Sequence, residues 1–153
     1  MKEMEVTKVA LDLELKTPVV LLKERKGARI FPIWIGLSEA RVIALIMKGL
    51  STSYSTFDLA KKLIEKFKAQ VDKVIINELK SNIYYAKIFI KMSGKILEID
   101  ARPSDAIALA LKFKAPIYVD EDRIAVREKP IEDKEIDEFK KKLKDIKPED
   151  FSF

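Results

Sequence analysis

Between Ala106 and Leu111 every side chain is apolar. A helix lying on a core needs only a stripe of such residues, so a helix here must be covered on more than one side. The charged turn Asp100-Ala101-Arg102-Pro103 leads into it, Ser104 is placed to cap its free N–H groups, and Pro116 ends it before the strand-like Pro116-Ile117-Tyr118-Val119. A chain of 153 residues has room for one substantial core. We expect one compact unit over residues 1–125, then an amphipathic helix and tail over 130–153.

Alternating apolar residues in MEVTKVALDLEL, the β-rich PVVLLK and the run RIFPIWI predict three strands, with a turn around KERKG. A helix follows, capped by Ser38, with Glu39 favourable in its positive first turn and an end near Gly49. A second helix, DLAKKLIEKF, is capped by Ser55 or Thr56 and is amphipathic in the ordinary way. VDKVIINEL, IYYAKIFIK and KILEIDA predict three more strands, joined by tight turns at Ser81-Asn82 and Ser93-Gly94. The apolar helix comes next.

The offset that carries Ser38 onto Ser104 also sets Ile33 on Ile99, Glu39 on Asp105, Ala40 on Ala106, Ala44 on Ala110, Leu45 on Leu111 and Lys48 on Lys114. An offset one residue shorter sets Val6-Thr7-Lys8-Val9 on Val71-Asp72-Lys73-Val74. The expected fold class is therefore α+β: duplicated βββα units, about 4–49 and 70–115, forming an antiparallel or mixed sheet with buried apolar helices. If the units pack about a pseudo-twofold axis, each apolar helix has a sheet on one side and a second helix or subunit on the other, so a homo-oligomer is expected. The apolar helices, Ser38 to Lys48 and Ser104 to Phe113, are the expected subunit contacts. In the C-terminal helix EDKEIDEFKKKLKDI, Ile136, Phe139, Leu143 and Ile146 fall on one stripe, which predicts docking on the domain or on a neighbouring subunit.

The chain has no Cys and no His, which excludes disulfides, thiolate zinc sites and a cysteine nucleophile and removes the commonest general base. Catalysis must use carboxylates, Lys, Arg, Tyr, Ser or a hard metal. The 30 Lys and Arg against 25 Asp and Glu give a net charge of +5, spread along the chain, which is compatible with nucleic acid without requiring it. So dense a charge resembles the ion-pair-rich surfaces of thermally adapted proteins. MKEMEVTK lacks the apolar core of a signal peptide, and the apolar runs are too short for a bilayer, so we expect a cytoplasmic protein without membrane contact.

Two-residue turns set the register of the second three-stranded unit. They place Glu78 beside Tyr85 beside Arg102, Ile76 beside Lys87 beside Asp100, and Val74 beside Phe89 beside Glu98. Carboxylates two residues apart on a strand stand roughly 7 Å from each other. Glu98 and Asp100 can therefore share a divalent cation, magnesium or manganese, directly or through water, while Arg102 and Lys87 meet a phosphate and Asp105 assists. Tyr85 and Phe89 can stack on bases, with Lys91 along the same face. The plainer reading stands beside this one: Lys87 with Asp100, and Arg102 with Glu78, are cross-strand ion pairs, Ser104 and Asp105 cap a helix, and Trp34 is packed. There is no Gly-rich phosphate loop, metal-binding helix motif or nucleophile elbow.

FPIWIGLSEARVIALIMKG followed by EIDARPSDAIALALKFKAPIYV resembles the bifunctional nuclease domain family, from about Met4 to Ile124 and most specifically in PIWIG, in Asp100 to Ala106 and in Ala115 to Val119. Pro148-Glu149-Asp150-Phe151 also resembles the end of the family domain. The resemblance implies a nuclease acting on both RNA and DNA, helped by a divalent cation, in a fold of repeated βββα units. It carries no established catalytic constellation, so the site residues rest on the strand geometry. The alternative is a non-catalytic nucleic-acid-binding or regulatory oligomer.

Overall fold

The computed structural model describes residues 1–50, 55–81, 83–124 and 133–146. In chain order the elements are β1 (Lys2–Asp12), β2 (Thr17–Glu24), β3 (Ile30–Trp34), α1 (Leu37–Met47), α2 (Thr56–Lys66), β4 (Ala69–Lys80), β5 (Ile83–Met92), β6 (Lys95–Ala101), α3 (Pro103–Phe113), β7 (Ile117–Val119), α4 (Glu121–Ile124), α5 (Asp133–Lys141) and β8 (Leu143–Asp145). One eight-stranded sheet runs in the order β3-β2-β1-β7-β4-β5-β6, with β8 also on β1. Every pairing is antiparallel except that of β7 with β4, so the class is α+β with a mixed sheet. The short strand β7 joins two meanders whose strands run outward from it in opposite senses.

Alternation along the strands divides the side chains between two faces. Val20 and Leu22 of β2 enter the main core with Ile33, Val74, Ile76 and Ile88, under α1 and α3. Val19 and Leu21 enter a second cluster on the opposite face, with Ala10 and Ile30, covered by Ile136, Phe139 and Leu143. The apolar helix α3 touches α1, α2, β4 and β5. Ala106, Ile107, Ala108 and Ala110 are each at most 1% exposed, which is why it has so little polar face. Its apolar sides are occupied within the chain, not by a neighbouring subunit.

Two ion-pair systems hold the periphery. Lys112 of α3 reaches Asp58 of α2 with both side chains nearly buried. Of the two expected caps Ser55 is the one formed: its hydroxyl accepts from the Asp58 N–H, and Asp58 accepts from the Ser55 hydroxyl and backbone N–H, which completes a capping box. Arg29, just before β3, joins buried Glu24 of β2 to Glu121 of α4. No helix among the described residues is long and apolar enough to cross a membrane.

Three expectations change. Ser38 and Ser104 lie inside the first turns of α1 and α3; the N-caps are Gly36 and Arg102, and neither donates or accepts a side-chain capping bond. The chain enters α3 earlier because Pro103, whose missing N–H costs nothing there, occupies its first turn. The C-terminal helix stops at Lys141, because Leu143–Asp145 turn into β8 and pair with Ala10–Asp12, an edge that β7 leaves open. Consequently Leu143 packs on the second cluster while Ile146 reaches the main core, so the four apolar residues do not share one helical stripe. Asn82 of the first tight turn and Pro148 to Phe151 lie outside the described residues.

Candidate active site

Lys80 pairs with Ile83 and Met92 with Lys95, so both hairpins turn in two residues as expected. Ser93 and Gly94 both take positive φ, 53° and 76°, the conformation a tight turn between twisted strands requires. Between β5 and β6 the expected register holds: Lys87 faces Asp100 and Phe89 faces Glu98. Between β4 and β5 it holds only at Glu78 with Tyr85. A bulge between Ile76 and Glu78 shifts the rest, so Ile75 and Lys73, not Ile76 and Val74, stand beside Lys87 and Phe89, and a second bulge between Val71 and Lys73 shifts the start of the strand once more. The first bulge turns Ile76 and Val74, both fully buried, to the core, and the second does the same for Val71.

The face so formed is open. Tyr85 is 45% exposed, Lys91 is exposed, and the Lys73 ammonium lies 5.1 Å from the Phe89 ring centre. Lys87 donates to Glu98 at 3.1 Å rather than to Asp100, and that bond, followed by the attraction of the same carboxylate, raises its pKa above the usual lysine value. Glu98 and Asp100 stand on an exposed strand, and among the described residues no three acidic side chains gather at one point. That excludes an all-protein cage there. It leaves the pair suited to a hydrated magnesium or manganese ion, which keeps several waters and takes substrate phosphates as further ligands.

Arg102 leaves this row. As the N-cap of α3 it turns toward α1: Nε and Nη2 donate to the two carboxylate oxygens of Asp105 at 2.9 and 3.1 Å, and Nη1 donates to Glu39 at 3.1 Å. The bidentate bond to Asp105, then its charge, and then Glu39 raise the guanidinium pKa. The ion pair of Arg102 with Glu78 is not formed; Glu78 pairs with Lys80. Both carboxylates lie in the first turn of their helices, where the N-terminal partial charge favours an anion.

This clamp sits in a cleft of about 350 Å³, lined by Ile33 to Gly36 on one side and by Ile83, Tyr84 and Arg102 to Ser104 on the other. That is the small end of the range for ligand pockets, about 300–1,000 Å³. The end of β3 and the end of β6 belong to opposite edges of the sheet, and the cleft is where they come together. Gly36 lines it as well: an added Cβ would fall 2.2 Å from Glu39 Oε2, the carboxylate oxygen that does not bond Arg102. Of the expected site residues, Arg102 and Asp105 lie here, whereas Lys87, Glu98, Asp100, Tyr85, Phe89 and Lys91 lie on the open strand face. Glu39, Trp34 and Tyr84 were not expected at the site. The pairing of Glu39 with Asp105 in the internal repeat is the one sequence signal that points to the first of them. Trp34 also donates from Nε1 to buried Asp12 at 2.9 Å, in line with its reading as a packed residue.

The family model for the bifunctional nuclease domain matches residues 20–132. An uncharacterized protein of Mycobacterium tuberculosis is 34% identical, the match spanning 99% of this chain and 98% of that one. Bifunctional nuclease 1 of Arabidopsis thaliana is 27% identical over 67% of this chain, and bifunctional nuclease 2 of Oryza sativa subsp. japonica is 28% identical over the same share. Each of these matches spans 33% of the plant protein.

Proposed function

Because the chain belongs to the bifunctional nuclease domain family, we propose that it hydrolyses phosphodiester bonds of RNA and DNA at the cleft and the strand face beside it. The observation that carries this reading is the convergence of two of the three most specific family motifs, PIWIG and the Asp100 to Ala106 segment, on the two walls of one cleft. The open face supplies the track: Lys91 and Lys87 meet phosphates, and Tyr85 and Phe89 offer flat surfaces to bases. Arg102 stands where the track enters the cleft. Its guanidinium geometry suits a phosphate as well as a carboxylate. A phosphate that takes it from Asp105 and Glu39 leaves those two carboxylates free to orient or deprotonate a water. A magnesium or manganese ion held by Asp100 and Glu98 would neutralise phosphate charge.

The family likeness of the two βββα halves, read as copies of one ancestral unit, is supported by the strand order, which runs outward from the centre in both directions. A homo-oligomer remains part of the proposal. The dispersed carboxylates favour a second reading, a nucleic-acid-binding protein that cuts nothing.

Cleavage of labelled single-stranded RNA and DNA by the purified protein, with magnesium, manganese or chelator, separates the two readings. We expect cutting that requires the metal and drops by at least about 100-fold in folded Asp100→Asn, the loss typical when one group that stabilises transition-state charge is removed. Salt-sensitive binding without cutting under any metal would establish the second reading.

A further inference from the structure

The two edges of the sheet are treated differently. Edge strand β3 has Ile30, Phe31 and Ile33 buried and carries Pro32, which cannot donate to another strand. Edge strand β6 exposes every residue from Lys95 to Asp100, contains no proline, and leaves Ile96, Leu97 and Ile99 48%, 43% and 46% exposed. A strand edge of this length and apolarity is a template for another strand.

The charges on β6 select what can pair with it. A second copy related by a twofold axis perpendicular to the sheet pairs antiparallel, with residues of the same face opposite each other. Centring the axis on Glu98 sets two Glu98 carboxylates face to face, and centring it on Ile99 sets Glu98 against the partner's Asp100. Like charges directly opposite are destabilising. Centring it on Leu97 avoids both: Leu97 meets Leu97, Ile99 meets the alkyl stem of the partner's Lys95, and Glu98 meets the partner's Ile96. Because Ile96 is paired with Lys91 in β5, Glu98 then lies two strand spacings, about 10 Å between backbones, from the partner's Lys91. The two side chains span that distance.

We propose that two copies of the chain join through β6, antiparallel and centred on Leu97, to make one continuous sheet whose open face runs across both subunits. This specifies the homo-oligomer of the preceding proposal and does not depend on its chemistry. The row of Lys87, Tyr85 and Asp100 in one subunit then continues into the Lys91 and Phe89 end of the other, so each candidate nucleic-acid track includes the partner's Lys91.

The absence of native cysteine gives a clean test. Light scattering on the full wild-type chain should give about twice 17.6 kDa. Residues opposite each other on antiparallel strands have Cα atoms about 4.5–5.5 Å apart, inside the range a disulfide spans. Under mild oxidation Leu97→Cys should therefore form a reducible dimer, while Glu98→Cys and Ile99→Cys, equally exposed, should not. A monomer mass at every concentration overturns the proposal. So does a cross-link formed at Glu98→Cys or Ile99→Cys instead of Leu97→Cys. Nucleic acid is absent from the experiment, so failure of the nuclease reading leaves its outcome untouched.

Discussion

The β1–β2–β3 half of the sheet is packed on both faces, by α1 and the main core on one side and by α5 and Leu143 on the other. The β4–β5–β6 half carries α3 on its inner face, whereas Tyr85, Lys87, Lys91, Glu98 and Asp100 on its outer face are left to solvent or only partly covered. The halves begin from the same element order, yet one spends its outward residues on packing and the other on charge. Under the proposed function, the difference separates a scaffold from a working surface. In the cleft, where the ends of β3 and β6 come together, Glu39 of α1 reaches the Arg102 of the open half.

Substitutions can break the contrast if it is wrong. The largest effect should come from the core of the covered half: Ile43 of α1 is fully buried, and Ile43→Ala should cost about 2–5 kcal/mol in denaturant unfolding. The same truncation on the open face, Ile96→Ala, should cost less than about 1 kcal/mol. Equal losses at the two positions would erase the distinction.

A smaller effect sharpens it. Helix α2, on the open half's side, has no fully buried residue and is pinned by Lys112 to Asp58. Lys112→Ala should cost about 2 kcal/mol, below the 3–5 typical of a fully buried pair because both side chains keep some exposure. The hydrogen bond from Lys112, and then that from Ser55, hold the Asp58 carboxyl below its usual value. A depressed native pKa adds stability that is present above the unfolded value of about 3.9 and disappears as pH falls through the native one. Between pH 6 and pH 3 the wild type should therefore lose more stability than Lys112→Ala, measured by urea melts across that range.

The strands, both hairpin turns and the β5–β6 register were legible because period-two alternation and two-residue turns are local signals. The bulges in β4 were not: the alternation of VDKVIINEL reads the same with or without an inserted residue, and only packing decides that Val74 and Ile76 turn inward. The apolar run of α3 announced a helix covered on several sides, and the structure supplies the covers within the chain. The caps misled because a serine near a helix start looks like a cap, whereas Gly36 and Arg102 hold those positions through backbone geometry. Arg102 itself was found from its place after Asp100. Its direction was not, since the partner Glu39 lies 63 residues away and reaches it only when the sheet brings its two edges together.

Hydrogen–deuterium exchange with and without a short single-stranded DNA, in chelator so that nothing is cut, tests the division of labour most directly. Slowed exchange is expected in β5, in β6 and in the cleft segments around Ile35 to Glu39 and Arg102 to Asp105, with α5 and β8 unchanged. Protection centred on α5 and β8, with β5 and β6 unaffected, would contradict it and place the working surface on the half read here as scaffold.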